Sequence, residues 1–230
     1  MKSKLNKLLF FILILISIFV FLNISVTTRQ GINYELHTIK IPLYLKVLDF
    51  FDRYYNYKEL TKRIVKDAGS EEEKIMRIFE WTHNNIRKAP QELPLVDDHA
   101  WYIIVRGYGA KDQSQDVFTT LCNIAGIDAF FSTVSNEDKT DEIPLSFVKM
   151  QKKLYVMDAY HGVYFKNSKG RLADIESRND WVKVSLDNEP NIDYTPYLDN
   201  LCTIKDFYLS RPSIQSPLNR LLFEIKRRTR

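Results

Sequence analysis

Residues 97 to 131 read DDHAWYIIVRGYGAKDQSQDVFTTLCNIAGIDAFF, and this stretch carries the turn from helical to strand periodicity on which the fold depends. The segment His99 to Val105 leads into a glycine turn, Arg106-Gly107-Tyr108-Gly109. From Asp112 to Ala125 the residues Val117, Phe118, Leu121, Cys122 and Ala125 recur on one side of a helix, and Gly126 stands where a C-cap glycine belongs. Beyond it, Ile127 to Val134 is rich in β-branched and aromatic residues and reads as a strand.

Working outward, Leu45 to about Lys66 has apolar residues at helical spacing among charges, which predicts one or two helices. Ser70 before Glu71-Glu72-Glu73 predicts a capped helix start, with Ile75, Ile78, Phe79, Thr82 and Ile86 on its inner face and an end before Pro90. Pro90 to Pro94 reads as a loop. Downstream, Ser146 to Met150 and Leu154 to Asp158 read as two strands joined by the short polar connection Gln151-Lys152-Lys153, and the acidic stretch Asn136 to Glu142 as a solvated loop. Helices precede strands, so the class is α+β, with helices packed on an antiparallel sheet.

The N-terminus is different in kind. Lys2, Lys4 and Lys7 precede Leu8 to Val26, an apolar run interrupted only by Ser17, Asn23 and Ser25. A transmembrane helix needs about 20 such residues, and the lysines favour a cytoplasmic start. Residues 1–26 are therefore expected to be a membrane anchor holding the chain, single-pass, in the cytoplasmic membrane with its domain outside. The alternatives are a cleaved signal followed by secretion, although Asn23-Ile24-Ser25 is a poor cleavage site, and a buried core helix. The expected organisation is then a connector over 27–44, one domain over 45–215, and a basic tail over 216–230, where Arg220, Lys226, Arg227, Arg228 and Arg230 flank Leu221 to Ile225. That tail is a solubility device or a contact for anionic lipid or an acidic partner.

A net charge of +4 spread over interspersed acids and bases points away from nucleic acid. Two cysteines, Cys122 and Cys202, without C-x-x-C spacing, point away from zinc or any other metal, and no cofactor motif is present. The cysteines could pair in an oxidising compartment.

The order of glycine turn, helix, G-I-D-A entry to a strand and hairpin ending in Asp158 resembles the transglutaminase-like superfamily, a branch of the papain-like thiol enzymes. The resemblance covers about residues 72 to 165 and is densest over 97 to 131. It implies a catalytic cysteine at the helix N-terminus, a histidine on the next strands as its base, and an aspartate on the following strand to orient the histidine. A helix N-terminus suits a thiolate because its dipole stabilises the anion.

By the family's spacing from Gly126, the nucleophile position falls on Lys111, and the base belongs within Thr140 to Phe147, which contains no histidine. Only Asp158 matches its triad position. The expectation is a degenerate site, with His161 as a possible substitute and with Arg106, Tyr108, Lys111, Asp112, Gln113 and Asp158 as binding residues. Lys111 is expected to pair with Asp158 or Asp112 across the former cleft. Cys122 shares the face of Lys111 about 16 Å further along the helix and reads as a buried structural thiol. His99-Ala100-Trp101 imitates the family's histidine-x-aromatic string in the wrong chain order and reads as loop packing, His83 as a solvated helix residue, and His37 as remote from the motif.

The function expected is binding or accessory work in a cell-envelope process, toward a glycan, peptide or protein partner. The alternative is a hydrolase or acyltransferase using Lys111 as nucleophile or base.

Overall fold

The structure, a computed structural model, describes residues 2–32, 35–90, 99–187 and 192–201. The tail, Cys202 and its pairing, and most of the loop 90–94 lie outside the described residues.

Helix α1 (Lys2–Leu22) opens with Lys2, Lys4 and Lys7, is apolar from Leu8 to Leu22 apart from Ser17, and is long and apolar enough to cross a membrane from Lys4 to Leu22, with none of that span buried against the protein. The segment expected as an extended connector is instead two antiparallel strands, β1 (Ser25–Ile32) and β2 (Glu35–Pro42), paired from Ser25 with Pro42 to Ile32 with Glu35. The chain thus doubles back, and its alternation of β-branched and polar residues, as in Ser25-Val26-Thr27 and His37-Thr38-Ile39, suits a ladder.

A single helix α2 (Leu43–Ile64) follows, then α3 (Glu71–Asn85), whose Ser70 hydroxyl accepts from the Glu73 N–H at 3.1 Å as the capping pattern predicts. Strand β3 (Arg87–Lys88) pairs in parallel with β4 (Tyr108–Gly109) on either side of the short helix α4 (Ala100–Arg106). His99 is the N-cap residue of α4, and Trp101 meets Tyr57 edge to face at 5.3 Å. Helix α5 (Lys111–Ile124) ends at Gly126, left-handed at φ 83°, and Ile127 N–H returns to Cys122 O at 2.9 Å. Asn123 then clamps the start of the next strand, donating to Ala129 O at 2.8 Å and accepting from Ala129 N–H at 3.3 Å.

Five strands form an antiparallel meander in the order β5 (Ala129–Ser135), β6 (Glu142–Met150), β7 (Lys153–Asp158), β8 (Val163–Lys166) and β9 (Val182–Ser185). The β6–β7 connection is a two-residue turn with Gln151 and Lys152 both at positive φ, the hand that matches strand twist. Because side chains alternate along a strand, β6 sends Val148 and Met150 into one core with Phe79, Phe118, Leu121 and Cys122, and Ile143, Leu145 and Phe147 into a second. The second core is closed by Phe165, Tyr194 and Tyr197, the last from helix α6 (Thr195–Leu201). The central strands β6, β7 and β8 are buried on both faces, and α5 lies against β5 and β6.

Candidate functional site

The glycine turn is held by its own side chains. Gly107 caps α4 at φ 74°. Arg106 Nε donates to Tyr108 O at 2.9 Å, its Nη2 to Gln113 Oε1 at 2.7 Å, and its guanidinium lies 5.4 Å from the Tyr108 ring centre. Gln113 Oε1 also accepts from the Ala110 N–H at 3.1 Å, satisfying a donor at the start of α5. Gly109 is needed for closeness: a Cβ there would stand 3.1 Å from Gln113 Cβ and 3.2 Å from Ile103 Cγ2. Arg106, Tyr108 and Gln113 are therefore brought together, and the contacts among them fasten α4 to α5.

Lys111 is the first residue of α5 and is exposed, as is Asp112 beside it in the helix's first turn. Neither ion pair expected of Lys111, with Asp158 or with Asp112, is formed among the described residues. Lys111 instead lies within electrostatic range of Asp141, at the far end of the β5–β6 connection. The Asp141 carboxyl is held below its ordinary value chiefly by the Tyr197 hydroxyl at 2.6 Å, with Lys111 adding a smaller effect.

Asp158 has other partners. At the end of β7 and 1 % exposed, its Oδ1 accepts from Gln115 Nε2 at 2.8 Å and from the backbone N–H groups of Tyr160 and His161, both at 3.1 Å. Its Oδ2 accepts from His161 Nδ1 at 2.7 Å and from the Tyr194 hydroxyl at 2.8 Å. A carboxylate offers about four lone-pair sites, so five donors leave nothing for an ammonium. Burial acts to raise the Asp158 pKa, but the hydrogen bonds from His161 and Tyr194 and the field of His161 outweigh it and hold the carboxyl below its usual value.

Gln115 extends the network into the sheet. Its Oε1 accepts from Ser146 Oγ at 2.6 Å and from the Ala159 N–H at 3.1 Å, so helix α5, strands β6 and β7 and the loop after β7 meet at one buried amide. Gln115 lies one turn after Lys111 on the same face. The spot one turn beneath Lys111 is therefore occupied by a satisfied polar cluster. Its one imidazole, His161, carries the proton on Nδ1, because an ionised carboxylate only accepts. The remaining nitrogen, Nε2, has no hydrogen-bond partner among the described residues, which is the arrangement of an oriented base.

A thiol for that base to act on is missing from the described residues. Cys122 is fully buried in the first core, and burial pushes its thiol pKa up, away from thiolate.

Sequence reasoning did not find Gln115, Ser146 or Tyr194. Gln115 left one trace, a polar residue in the apolar stripe of α5; Tyr194 left none. His83, expected to be solvated, is turned inward with a side chain 7 % exposed. Its Nδ1 lies 3.2 Å from Ala159 O and its Nε2 2.8 Å from Asp187 Oδ2, so two acceptors draw the ring under the loop that carries His161.

Among solved structures, the chain is similar to a proposed cysteine protease from Cytophaga hutchinsonii at 13 % identity and TM-score 0.41, covering 66 % of this chain and 61 % of that one. It is similar also to a TGase at 11 % identity and TM-score 0.38, covering 58 % and 43 %, and to a proposed protease from Parabacteroides distasonis at 12 % and 0.39, covering 73 % and 41 %. The chain thus spans less than two thirds of each of these proteins. No curated protein matches it. The family model of the transglutaminase-like superfamily matches residues 58–187, from the second half of α2 to just beyond β9, and the chain belongs to that superfamily.

Proposed function

We propose that this chain is a membrane-anchored transglutaminase-like domain that has lost catalysis and acts by binding, on the outer side of the cytoplasmic membrane and in a cell-envelope process. The observation that supports it best is the occupancy of Asp158. The residue at the triad's orienting position is committed on both oxygens to Gln115, His161, Tyr194 and the backbone, while the nucleophile position carries an exposed lysine. The lysines in the first turns of α1, Lys2, Lys4 and Lys7, support the orientation. A glycan, peptide or protein of the envelope is the partner class favoured.

One observation favours a second reading, an enzyme that employs Lys111: His161 is oriented by a carboxylate, as a general base must be. Against it, a lysine becomes nucleophilic when desolvated, and Lys111 is exposed. Full-length protein in detergent, assayed against ester, peptide and amine-acceptor substrates, distinguishes the two. Binding predicts no turnover above buffer, together with capture of an envelope glycan or protein. Turnover that disappears in an equally stable Lys111→Ala variant would overturn it.

A further inference from the structure

Helix α2 has two apolar sides, and the domain uses one. Tyr57 and Thr61 are buried against the domain, with Leu60 and Ile64 packed beside them. Tyr44, Val47, Leu48, Phe51 and Tyr55 follow at three- and four-residue steps on the opposite side, exposed by 38, 41, 59, 40 and 62 %. Lys58 and Lys62 continue the same line one and two turns beyond Tyr55, both exposed. Contiguous apolar surface of this kind marks an interaction site.

The position of the stripe says what covers it. Although eighteen residues separate Ile24 from Leu43, pairing of Ser25 with Pro42 at the base of the hairpin brings them together, and the Leu43 N–H donates to Ile24 O at 2.9 Å. Lys46 Nζ also donates to Thr27 O at 2.6 Å. The stripe therefore begins beside Leu43, whose N–H is bonded to Ile24, two residues past the apolar span that ends at Leu22.

We propose that the first four turns of α2 lie in the headgroup layer of the bilayer, with Leu48, Phe51 and Tyr55 facing the acyl boundary and Lys58 and Lys62 reaching anionic headgroups. This rests on the reading of α1 as a membrane anchor. Tyrosine at the rim of an apolar face suits the membrane interface, and an amphipathic helix with basic residues binds there. Tyr44 to Tyr55 spans about 16 Å of helix axis, more than the roughly 5 to 8 Å of headgroup layer on one side. The helix must consequently run along the surface, and the domain packed on its other side sits close to the bilayer.

Site-directed spin labelling of the full chain tests this, in phosphatidylcholine vesicles containing phosphatidylglycerol and with Cys202 replaced by serine. Labels are placed at Ile12→Cys in the anchor, Leu48→Cys and Tyr55→Cys on the stripe, and Asp52→Cys on the flank of α2. The stripe labels are expected to collide with oxygen several-fold more, relative to a water-soluble nickel chelate, than the label at 52, and to report similar depths at 48 and 55. A lipid signal at 12 with aqueous signals at 48 and 55 overturns the proposal and leaves the anchor standing. Spin–spin broadening between copies at 48 and 55 overturns it in favour of a second copy of the chain. An aqueous signal at 12 overturns the anchor and the proposal together.

Discussion

Gln115 Nε2 donates to Asp158 Oδ1 over 2.8 Å, joining helix α5 to the end of strand β7 where both side chains are sealed from solvent. The same amide accepts from Ser146 and from the backbone of Ala159. Leaving a buried polar group unpaired costs roughly 1 to 3 kcal/mol, and replacing Gln115 orphans several at once. Gln115→Met, similar in volume, is expected to lose at least about 2 kcal/mol of stability, read by urea unfolding; a loss below half of that would mean the amide is not the junction of the network.

The carboxyl of Asp158 gives the domain an acid-sensitive component. Its pKa is lowered in the folded state, so its contribution is fully present above the unfolded value of about 3.9 and is lost as pH falls through the lower folded value. Thermal melts should show stability declining below about pH 4. In Asp158→Asn the protein should be less stable at neutral pH, with a shallower decline at acid pH. An unchanged acid slope in that variant would assign the decline to other carboxylates.

Lys111 stands outside this network, and its removal should be nearly silent. An exposed residue with no ion pair among the described residues predicts a change within about 0.5 kcal/mol for Lys111→Ala. The Lys111→Cys variant should gain no thiol hydrolysis or transamidation, since β6 carries no histidine to face the new thiol, and a gain of either activity would assign the base to His161. A fall of several degrees in the melting temperature of Lys111→Ala would reinstate a structural role for the lysine.

Two glycines separate the cost of backbone conformation from that of contact. Gly162 and Gly170 are both left-handed, at φ 64° and 74°. A Cβ on Gly162 would come within 2.7 Å of His83 Nε2, whereas one on Gly170 would meet nothing within 4 Å. Gly170→Ala should cost only the roughly 1 to 2 kcal/mol of the left-handed conformation. Gly162→Ala should cost clearly more and should displace His83 from Asp187, visible as a changed His83 ring signal in NMR. Equal costs would mean that the His83 ring yields freely.

The amino-acid sequence alone determined the apolar N-terminal helix, the Ser70 cap, the span of α5 up to Gly126, the β6–β7 hairpin and the position of Lys111 at a helix start. Each depends on periodicity or on a cap within a few residues, so the information is local. The pairing of Ser25–Ile32 with Glu35–Pro42 passed for a connector because the sequence there contains no Asn-Gly or Asp-Gly pair. The resemblance to the family likewise pointed to Asp158 for the triad position, but it could not say which groups occupy that carboxylate. Of those, Gln115 and Tyr194 lie 43 and 36 residues away, and Asp187, which draws His83 inward, is 104 residues from it. These partners meet only because the central strands around Asp158 are buried on both faces, where a carboxylate must be hydrogen-bonded from whichever elements surround it. Tertiary structure alone therefore decided that Asp158 serves His161, Gln115 and Tyr194, while Lys111 remains in solvent.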